Sequence, residues 1–182
     1  MSITNEHEQI EAAKKNPQQF RVLYEKYFKD VFLFINRRME DEHTAADFTQ
    51  QVFLKAMQHL KYYEYRGVPF TAWLIRIATN EVNQFYRDKK KERIVSMEIP
   101  DLNEMLDDND SHILHERHES ALIAIKKLSG EELELIEMRF FEKRSFAEIA
   151  DIKGMSENNA KVKVHRILER VRKQLLTESK AA

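Results

Sequence analysis

The sequence has no cysteine and very few of the residues that interrupt helices. Its 182 residues include three glycines and three prolines. Without cysteine, the chain has no disulfide bonds and no zinc site that depends on a thiolate ligand. Glycine and proline together make up about 12% of an ordinary chain. The long uninterrupted stretches between these six residues, rich in Leu, Glu, Lys, Arg and Ala, therefore predict an all-α fold.

Long apolar runs are also missing. Every apolar run is far shorter than the roughly 20 residues that a membrane-spanning helix needs. The first 15 residues, MSITNEHEQIEAAKK, contain no apolar core of a signal peptide. We therefore expect a cytoplasmic protein with no membrane insertion.

Charge is nearly balanced overall but unevenly distributed. The formal net charge is -1. Residues 95–120 contain eight acidic side chains against Arg117, whereas residues 161–173 contain six cations against Glu169. Because binding to nucleic acid depends on local charge, the balanced total does not exclude a nucleic-acid partner.

Helical periodicity and the positions of the breakers predict two small domains. The first covers residues 1–93 and the second residues 113–176. Residues 94–112 lose periodicity and gain acids, which indicates an acidic linker, and residues 177–182 form a tail. Helices are predicted at residues 6–15, 20–39, 44–60 and 70–88 in the first domain, and at 113–128, 131–142, 145–152 and 156–176 in the second.

The second domain contains the outline of a helix-turn-helix at residues 145–173. Gly154 interrupts a short apolar helix, and Ser156 is a suitable cap for the next one. That next helix has an apolar stripe at helical spacing, made of Val164, Ile167, Leu168, Val171 and Leu175. A helix-turn-helix lays its second helix in the major groove of DNA.

The side of this helix opposite the stripe carries residue types that read bases. Near its N-terminus lie Asn158, Asn159, Val162 and Arg166. Asn pairs with adenine, Arg pairs with guanine, and Val contacts the thymine methyl group. A solvated outer face would explain the cations alone, but it would not need an outward Val among amides. The predicted DNA-binding residues are Asn158, Asn159, Lys161, Val162, Lys163, His165, Arg166 and Arg170.

A second candidate surface lies in the first domain. Arg76, Asn80, Asn83 and Arg87 fall within about 60° of arc on one helix, and they suit contacts to phosphates and base edges. We call them the basic row. The loop before this helix, residues 62–66 (the tyrosine loop), combines three tyrosines with an arginine. Aromatic rings beside a cation can hold unstacked bases, although tyrosines also serve as ordinary packing residues.

Four blocks in order resemble the extracytoplasmic-function (ECF) sigma factors, the small two-domain class of bacterial transcription initiation factors. The blocks are FRVLYEKYFKDVFLFINRR (20–38), ADFTQQVFLKA (46–56), FTAWLIRIATNEVNQFYR (70–87) and LSGEELELIEMRFFEKRSFAEIADIKGMSENNAKVKVHR (128–166). The resemblance implies a protein that is not an enzyme and that directs core RNA polymerase to the -10 and -35 elements of promoters.

The resemblance also implies a role for each block. The helix-turn-helix would recognise the -35 element and contact the beta flap. The -10 element would be melted and read by Tyr62, Tyr63, Tyr65, Arg66, Trp73, Arg76, Asn80, Asn83 and Arg87. Docking on the clamp helices of the beta-prime subunit would use Asp47, Thr49, Gln50, Gln51 and Phe53. The linker would thread toward the RNA exit channel, and an anti-sigma factor is expected as a partner. No cofactor, metal or catalytic residue is predicted.

Three positions depart from the family pattern. Ala46 and Gln51 stand where many relatives carry Glu, which removes two acids from the expected docking surface. Gln84 stands at a position that is often Asp.

Two other functions remain open from the sequence alone. His112, His115 and His118 could contribute to a metal site, because histidines at i and i+3 can share a metal, but the third would lie roughly another 60° around the helix. The chain could also be a one-piece transcriptional regulator, in which the first domain senses a ligand or dimerises. Such a sensor domain would need neither the basic row nor the tyrosine loop.

Overall fold

The structure is a computed structural model that describes residues 3–89, 124–125 and 127–178, with every described element helical. The chain divides into two compact units, Met1–Ser96 and Met97–Ala182. The predicted all-α class with two helical domains is confirmed. The predicted linker and most of the helix predicted at 113–128 lie outside the described residues.

The described part of the first unit contains four helices, one of which begins at a side-chain cap. They are α1 (Ile3–Lys15), α2 (Phe20–Asn36), α3 (Glu42–His59) and α4 (Phe70–Lys89), with short 3-10 turns at Pro17–Gln19 and Leu60–Tyr62. The Asp41 carboxylate caps α3 by accepting from the Thr44 backbone N–H and hydroxyl, each at 2.8 Å. These bonds, the backbone bond foremost, hold the pKa of Asp41 below its usual value.

The core of the first unit lies between α2, α3 and α4. Its fully buried side chains include Leu23, Val31, Ile35, Val52, Ala56, Phe70, Leu74, Ile75 and Ala78. Aromatic rings extend this core along α2 and α3, where Phe53 lies 4.8 Å from Tyr24 and 6.4 Å from both Phe20 and Phe28 between ring centroids. Burial of large rings compensates for the modest core volume of so small a domain.

Helix α1 packs on this core through a short apolar face. Ile10 and Ala13 are buried, and the Tyr27 hydroxyl of α2 donates a hydrogen bond to the Glu6 carboxylate. Burial is the main cause that raises the pKa of Tyr27 above its usual value, and the bond to Glu6 adds to it. The phenol therefore stays protonated and keeps α1 attached to α2.

The end of α2 is fixed by a buried arginine. The helical pattern predicts α2 to residue 39, but the helix ends at Asn36. Arg38 is buried, with its guanidinium carbon 3.7 Å from the Phe34 ring centroid and Nη1 donating to the Phe34 carbonyl at 2.8 Å. The Tyr86 hydroxyl of α4 donates to the Arg38 carbonyl at 2.6 Å. This chain of contacts joins the ends of α2 and α4.

The second unit contains α5 (Gly130–Ile136), α6 (Phe146–Lys153) and α7 (Glu157–Glu178). The helix predicted at 131–142 changes after α5 into a π-helical turn at Glu137–Phe141. The apolar stripes of these elements meet in a core that includes Leu133, Leu135, Ile136, Met138, Ile149, Ile152, Ala160, Val164, Ile167, Leu168 and Val171.

Two acids of α5 tie the other helices to it. Glu134 is nearly buried and accepts from Lys153 of α6 at 2.5 Å, and Glu132 accepts from Arg170 of α7 at 2.6 Å. Glu132 also forms a capping box with Ser129. Burial acts to raise the pKa of Glu132, but its hydrogen bonds with Ser129 and Arg170 outweigh burial and the pKa is lowered.

Candidate nucleic-acid interface

The turn between α6 and α7 follows from three residues. Ser145 begins α6 with a capping box to Glu148. Gly154 ends α6 in the left-handed region, at φ 64°, where a side chain would be strained. The Ser156 hydroxyl then accepts from the Asn159 N–H at 3.3 Å at the start of α7. The predicted helix-turn-helix is confirmed, with both the break at Gly154 and the cap at Ser156.

Helix α7 separates an apolar inner face from a polar outer one. The predicted stripe is buried at Val164, Ile167, Leu168 and Val171, whereas the Leu175 side chain lies outside the described residues. The side chains predicted to read bases are exposed on the opposite face near the N-terminus of α7, and Val162 is 37% exposed. We call this set the reading face: Asn158, Asn159, Val162 and Arg166.

Cations surround the reading face in different environments. Lys161 and Lys163 are exposed. Arg170 is held by Glu132, as described above, with about half of its side chain exposed. The exposed His165 ring lies 6.4 Å from the Phe146 ring of α6. Two of the predicted DNA contacts, at positions 165 and 170, therefore also belong to the packing of this unit.

The basic row lies along α4 with graded exposure. Asn80 and Arg87 are exposed, and Arg76 and Asn83 are half-buried. Arg87 donates to the Gln84 amide oxygen at 2.7 Å. The Gln84 amide nitrogen donates in turn to Asp88 at 2.6 Å. The Gln84 side chain thus lies within the polar surface of α4, between one residue of the row and an acid.

The tyrosine loop contains one structural residue and two exposed rings. Tyr62 is 70% exposed, Tyr65 is 49% exposed, and Arg66 is exposed. Tyr63 is only 7% exposed, so it offers little surface for base capture, and that predicted role stays a prediction. Its ring packs against Phe70 and Trp73, with centroid distances of 5.0 and 5.1 Å. The physical reason is that the loop folds back on the start of α4, where this ring fills the core.

Two residues predicted for polymerase docking are buried in α3. Thr49 has no exposed surface, and its hydroxyl donates to the Ala45 carbonyl at 2.7 Å. Phe53 is 3% exposed inside the aromatic cluster. Both lie on the inner stripe of α3, so the structure gives them little exposed surface, and their assignment to docking stays a prediction. Asp47, Gln50 and Gln51 are exposed as expected.

Two apolar residues on the outer surface of α3 were not predicted from the sequence. Leu54 is 52% exposed and Met57 is 41% exposed. At about 100° per residue they share one side of the helix with Asp47, Gln50 and Gln51. Their position off the predicted apolar stripe was the available signal. We call these five residues the docking face.

Neither a metal site nor a membrane span is found in the part of the chain that the structure describes. Its His, Asp and Glu residues form no group that could hold a metal ion. None of its helices has both the length and the apolar character needed to cross a bilayer. The histidines at positions 112, 115 and 118 lie outside the described residues.

Two protein-family models match this chain, one in each unit. The family model described as Sigma-70 region 2 matches residues 23–92, which include most of α2 and all of α3 and α4. The family model described as Sigma-70, region 4 matches residues 124–173, which include the helix-turn-helix.

Several curated relatives are named ECF RNA polymerase sigma factors. The ECF RNA polymerase sigma factor BldN of Streptomyces coelicolor is 30% identical over 149 residues, which are 81% of this chain and 56% of that protein. The chain thus matches little more than half the length of this relative. SigX of Bacillus subtilis is 24% identical over 87% of this chain and 84% of its own length. SigM of the same organism is 26% identical over 82% and 91%.

Two solved structures have a similar fold, and one of them contains a sigma factor. CnrH, solved with the cytosolic domain of CnrY, has a TM-score of 0.58 at 19% identity and covers 97% of both chains. RpoE of Bartonella quintana, solved with the anti-sigma factor NepR, has the same TM-score and identity, and covers 87% of this chain and 97% of its own. At this identity the likeness shows the fold. Since both sigma-70 regions are matched in order, the chain belongs to the ECF class of RNA polymerase sigma factors.

Proposed function

We propose that this chain directs core RNA polymerase to promoters by reading the -35 element with α7 and the -10 element with α4 and the tyrosine loop. The reading face carries this proposal. It presents two amides, an apolar side chain and a guanidinium outward at the N-terminal end of the second helix of a helix-turn-helix. That end is where such helices meet base edges.

The chemistry of α7 supports direct reading of the upstream element. Arg166 can bind the O6 and N7 atoms of guanine, Asn158 and Asn159 can pair with adenine, and Val162 can contact a thymine methyl group. The exposed Lys161 and Lys163 beside them suit phosphate contacts, which set position without reading sequence. Base and phosphate contacts are thus available on one surface.

The first unit supports opening of the downstream element. Unstacking a base step costs a few kcal/mol, and stacking a base on an aromatic ring returns about 1–3 kcal/mol. Tyr62 and Tyr65 offer exposed rings for this purpose, and Arg66 adds an exposed cation. The basic row on α4 then supplies amides and cations along the same helix that follows the loop.

The docking face supports binding to core polymerase. Exposed apolar side chains such as Leu54 and Met57 among polar residues are typical of an interface centre with a polar rim. Because Ala46 and Gln51 carry no charge, we expect apolar contact through Leu54 and Met57 to contribute much of the binding energy. The clamp helices of the beta-prime subunit are the proposed partner, and the second unit is proposed to rest on the beta flap.

Further partners and location follow from the same assignment. The chain is proposed to act in the cytoplasm, to contribute no catalysis of its own, and to need no cofactor, because the polymerase performs the chemistry. Regulation by an anti-sigma factor is proposed because RpoE, a protein of similar fold, was solved with one.

The test is run-off transcription with purified core polymerase on a pool of genomic promoter fragments. The wild-type chain should direct initiation from a small set of fragments that share two sequence elements. The Arg166→Ala variant should lose selection of the upstream element while it still binds core polymerase. Failure of the wild-type chain to initiate on any fragment would rule out the proposed function.

A further inference from the structure

The N-terminal helix contacts the base of the tyrosine loop. Helix α1 lies before residue 23, where the match to Sigma-70 region 2 begins. It nevertheless packs against the 3-10 turn Leu60–Tyr62 that leads into the loop. Its last turn carries Lys14 and Lys15, one half-buried and the other exposed.

Lys14 makes a specific bond across this contact. Its Nζ atom donates to the backbone carbonyl of Tyr63 at 2.8 Å and to the Glu11 carboxylate at 2.8 Å. The Lys14 side chain is 21% exposed, and Nζ also lies 5.9 Å from the Tyr63 ring centroid. A hydrogen bond from an ammonium group in a partly buried site is stronger than one between neutral groups.

Tyr63 is consequently held at its ring, its N–H and its carbonyl. The ring packs on Phe70 and Trp73, and the backbone N–H donates to the Leu60 carbonyl at 3.0 Å. Without Lys14, the Tyr63 carbonyl is free to rotate about the backbone, and the packing of the Tyr63 ring on Trp73 loosens with it. The direction of the chain on either side of Tyr63 depends on that carbonyl.

The two exposed rings of the loop flank this fixed point. Tyr62 comes directly before Tyr63, and Tyr65 follows two residues later. A loop held in one conformation loses less conformational entropy when it captures a base than a loop that must first become ordered. Orientation of Tyr62 is also restricted locally, because the Lys61 ammonium lies 4.7 Å from its ring centroid.

We infer that Lys14 is a positioning residue for DNA opening, which fixes the tyrosine loop through the Tyr63 carbonyl so that Tyr62 and Tyr65 are preorganised for base capture. This inference rests on the proposed function of the loop. It assigns α1 a part in promoter opening although Lys14 itself need not contact DNA.

Three full-length variants separate this role from general effects of charge and stability. Lys14→Met keeps most of the apolar stem and removes the donor, whereas Lys14→Arg keeps a donor that can reach the same carbonyl. Lys15→Met is the matched control, because it removes the same charge from the next residue of α1, which is exposed.

The first measurement uses the free chain. Trp73 is the one tryptophan of the sequence, and its ring lies against Tyr63. Lys14→Met should make Trp73 fluorescence more accessible to quenching by acrylamide, whereas Lys14→Arg and Lys15→Met should match the wild type. Equal quenching in Lys14→Met and the wild type would overturn the inference. Since no polymerase is present, this result is independent of the proposed function.

The second measurement compares initiation on a duplex promoter with initiation on the same promoter premelted across the -10 element. Lys14→Met should reduce initiation on the duplex by about fivefold, the effect of one hydrogen bond of roughly 1 kcal/mol. The defect should fall below about twofold on the premelted template, because no base step then has to be opened. Lys14→Arg should restore duplex initiation, and Lys15→Met should leave it unchanged.

Each other outcome has a defined meaning. An equal defect on both templates, or an equal defect in Lys15→Met, overturns the positioning role. If Lys14→Met does not fold, Lys14→Gln is the second variant, and its failure to fold as well would assign Lys14 to stability and overturn the inference. A wild-type chain that never initiates with core polymerase would instead refute the proposed function.

Discussion

Tyr62 and Tyr63 are adjacent in the chain, yet the structure gives them opposite environments. The first is 70% exposed, and the second is 7% exposed and packs on two aromatic rings. The sequence predicts aromatic residues in a loop but not which ring enters the core, because a loop has no regular period. The contact between the Tyr63 ring and the start of α4 decides which of the two rings is buried.

Alanine substitutions should separate these two tyrosines. Tyr63→Ala should destabilise the chain by about 3 kcal/mol, since it removes a large buried ring. Tyr62→Ala should change stability by less than about 0.5 kcal/mol, but it should slow initiation on duplex promoters because a stacking platform is lost. Urea unfolding and run-off transcription on duplex and premelted templates measure the two effects. A stable Tyr63→Ala would contradict the packing role.

Arg166 and Lys163 should differ in what they recognise. Arg166→Ala is expected to weaken binding to the preferred upstream element by about 1–3 kcal/mol while binding to other sequences changes little. Lys163→Ala should weaken binding to all sequences alike and reduce its salt dependence, as expected for a phosphate contact. Competition binding with single-base variants of the element, at two salt concentrations, distinguishes them. A uniform loss for Arg166→Ala would show that it too contacts a phosphate.

At the scale of elements, α5 and α7 are joined by a bond that depends on pH. The Glu132 pKa is lowered in the folded chain, so its carboxylate stabilises the fold above the unfolded value of about 4.3. This contribution is lost as pH falls through the folded pKa. Because Arg170 is half-exposed, we expect no more than about 1 kcal/mol.

The Glu132→Gln variant tests this connection. Its stability should be lower than that of the wild type at neutral pH, and the difference should shrink as pH falls below about 4. Thermal unfolding across that pH range gives the measurement. Glu131→Gln is the matched control, because Glu131 is the exposed neighbour in the same helical turn. A difference that stays constant with pH would exclude the ionised carboxylate as its source.

The outer surface of α3 should determine affinity for core polymerase. Leu54→Asp should weaken binding to core enzyme by more than about tenfold, since an apolar anchor at the centre of an interface becomes charged. Stability should change little, because Leu54 is 52% exposed. Leu33→Asp, at an exposed apolar position on α2, is the control and should bind normally. Fluorescence anisotropy of labelled chain titrated with core enzyme reports the affinity, and normal binding by Leu54→Asp would exclude this surface.

For the whole molecule, a net charge of -1 has a functional consequence. Non-specific affinity for DNA comes mainly from phosphate neutralisation, and in a chain with as many acids as cations only the local basic surfaces provide it. We expect weak binding to duplex promoter DNA by the free chain and strong, sequence-specific binding in the presence of core polymerase. Mobility shifts with and without core enzyme test this. Tight specific binding by the free chain would favour a one-piece regulator.

The sequence predicted the fold and the faces of helices more reliably than the roles of individual residues. Helical period placed the reading face outward and the stripe at Val164 inward, because every third or fourth residue of a helix shares one side. The same period places Phe53 on the inner stripe, whereas family resemblance assigned it to docking, and its burial agrees with the period. The burial of Thr49 was not predicted, because a small polar residue can satisfy its hydroxyl within its own helix.

Other features depend on contacts between distant residues and leave no pattern in the sequence. The bonds from Lys14 to the Tyr63 carbonyl and from Tyr86 to the Arg38 carbonyl each join residues about 50 positions apart, with separations of 49 and 48. Periodicity describes one helix at a time, so it cannot reveal such pairs. They nevertheless set where the loop and the helix ends lie.

The bond between Glu134 and Lys153 restricts how this family member can change over evolutionary time. Both side chains are largely buried, so we expect removal of either charged partner of this bond to destabilise the fold, by up to about 3–5 kcal/mol. Single substitutions at these two positions should therefore rarely be tolerated. In descendants of this gene we expect the pair to be retained, or to be replaced jointly by two apolar residues of similar volume, with mixed combinations rare.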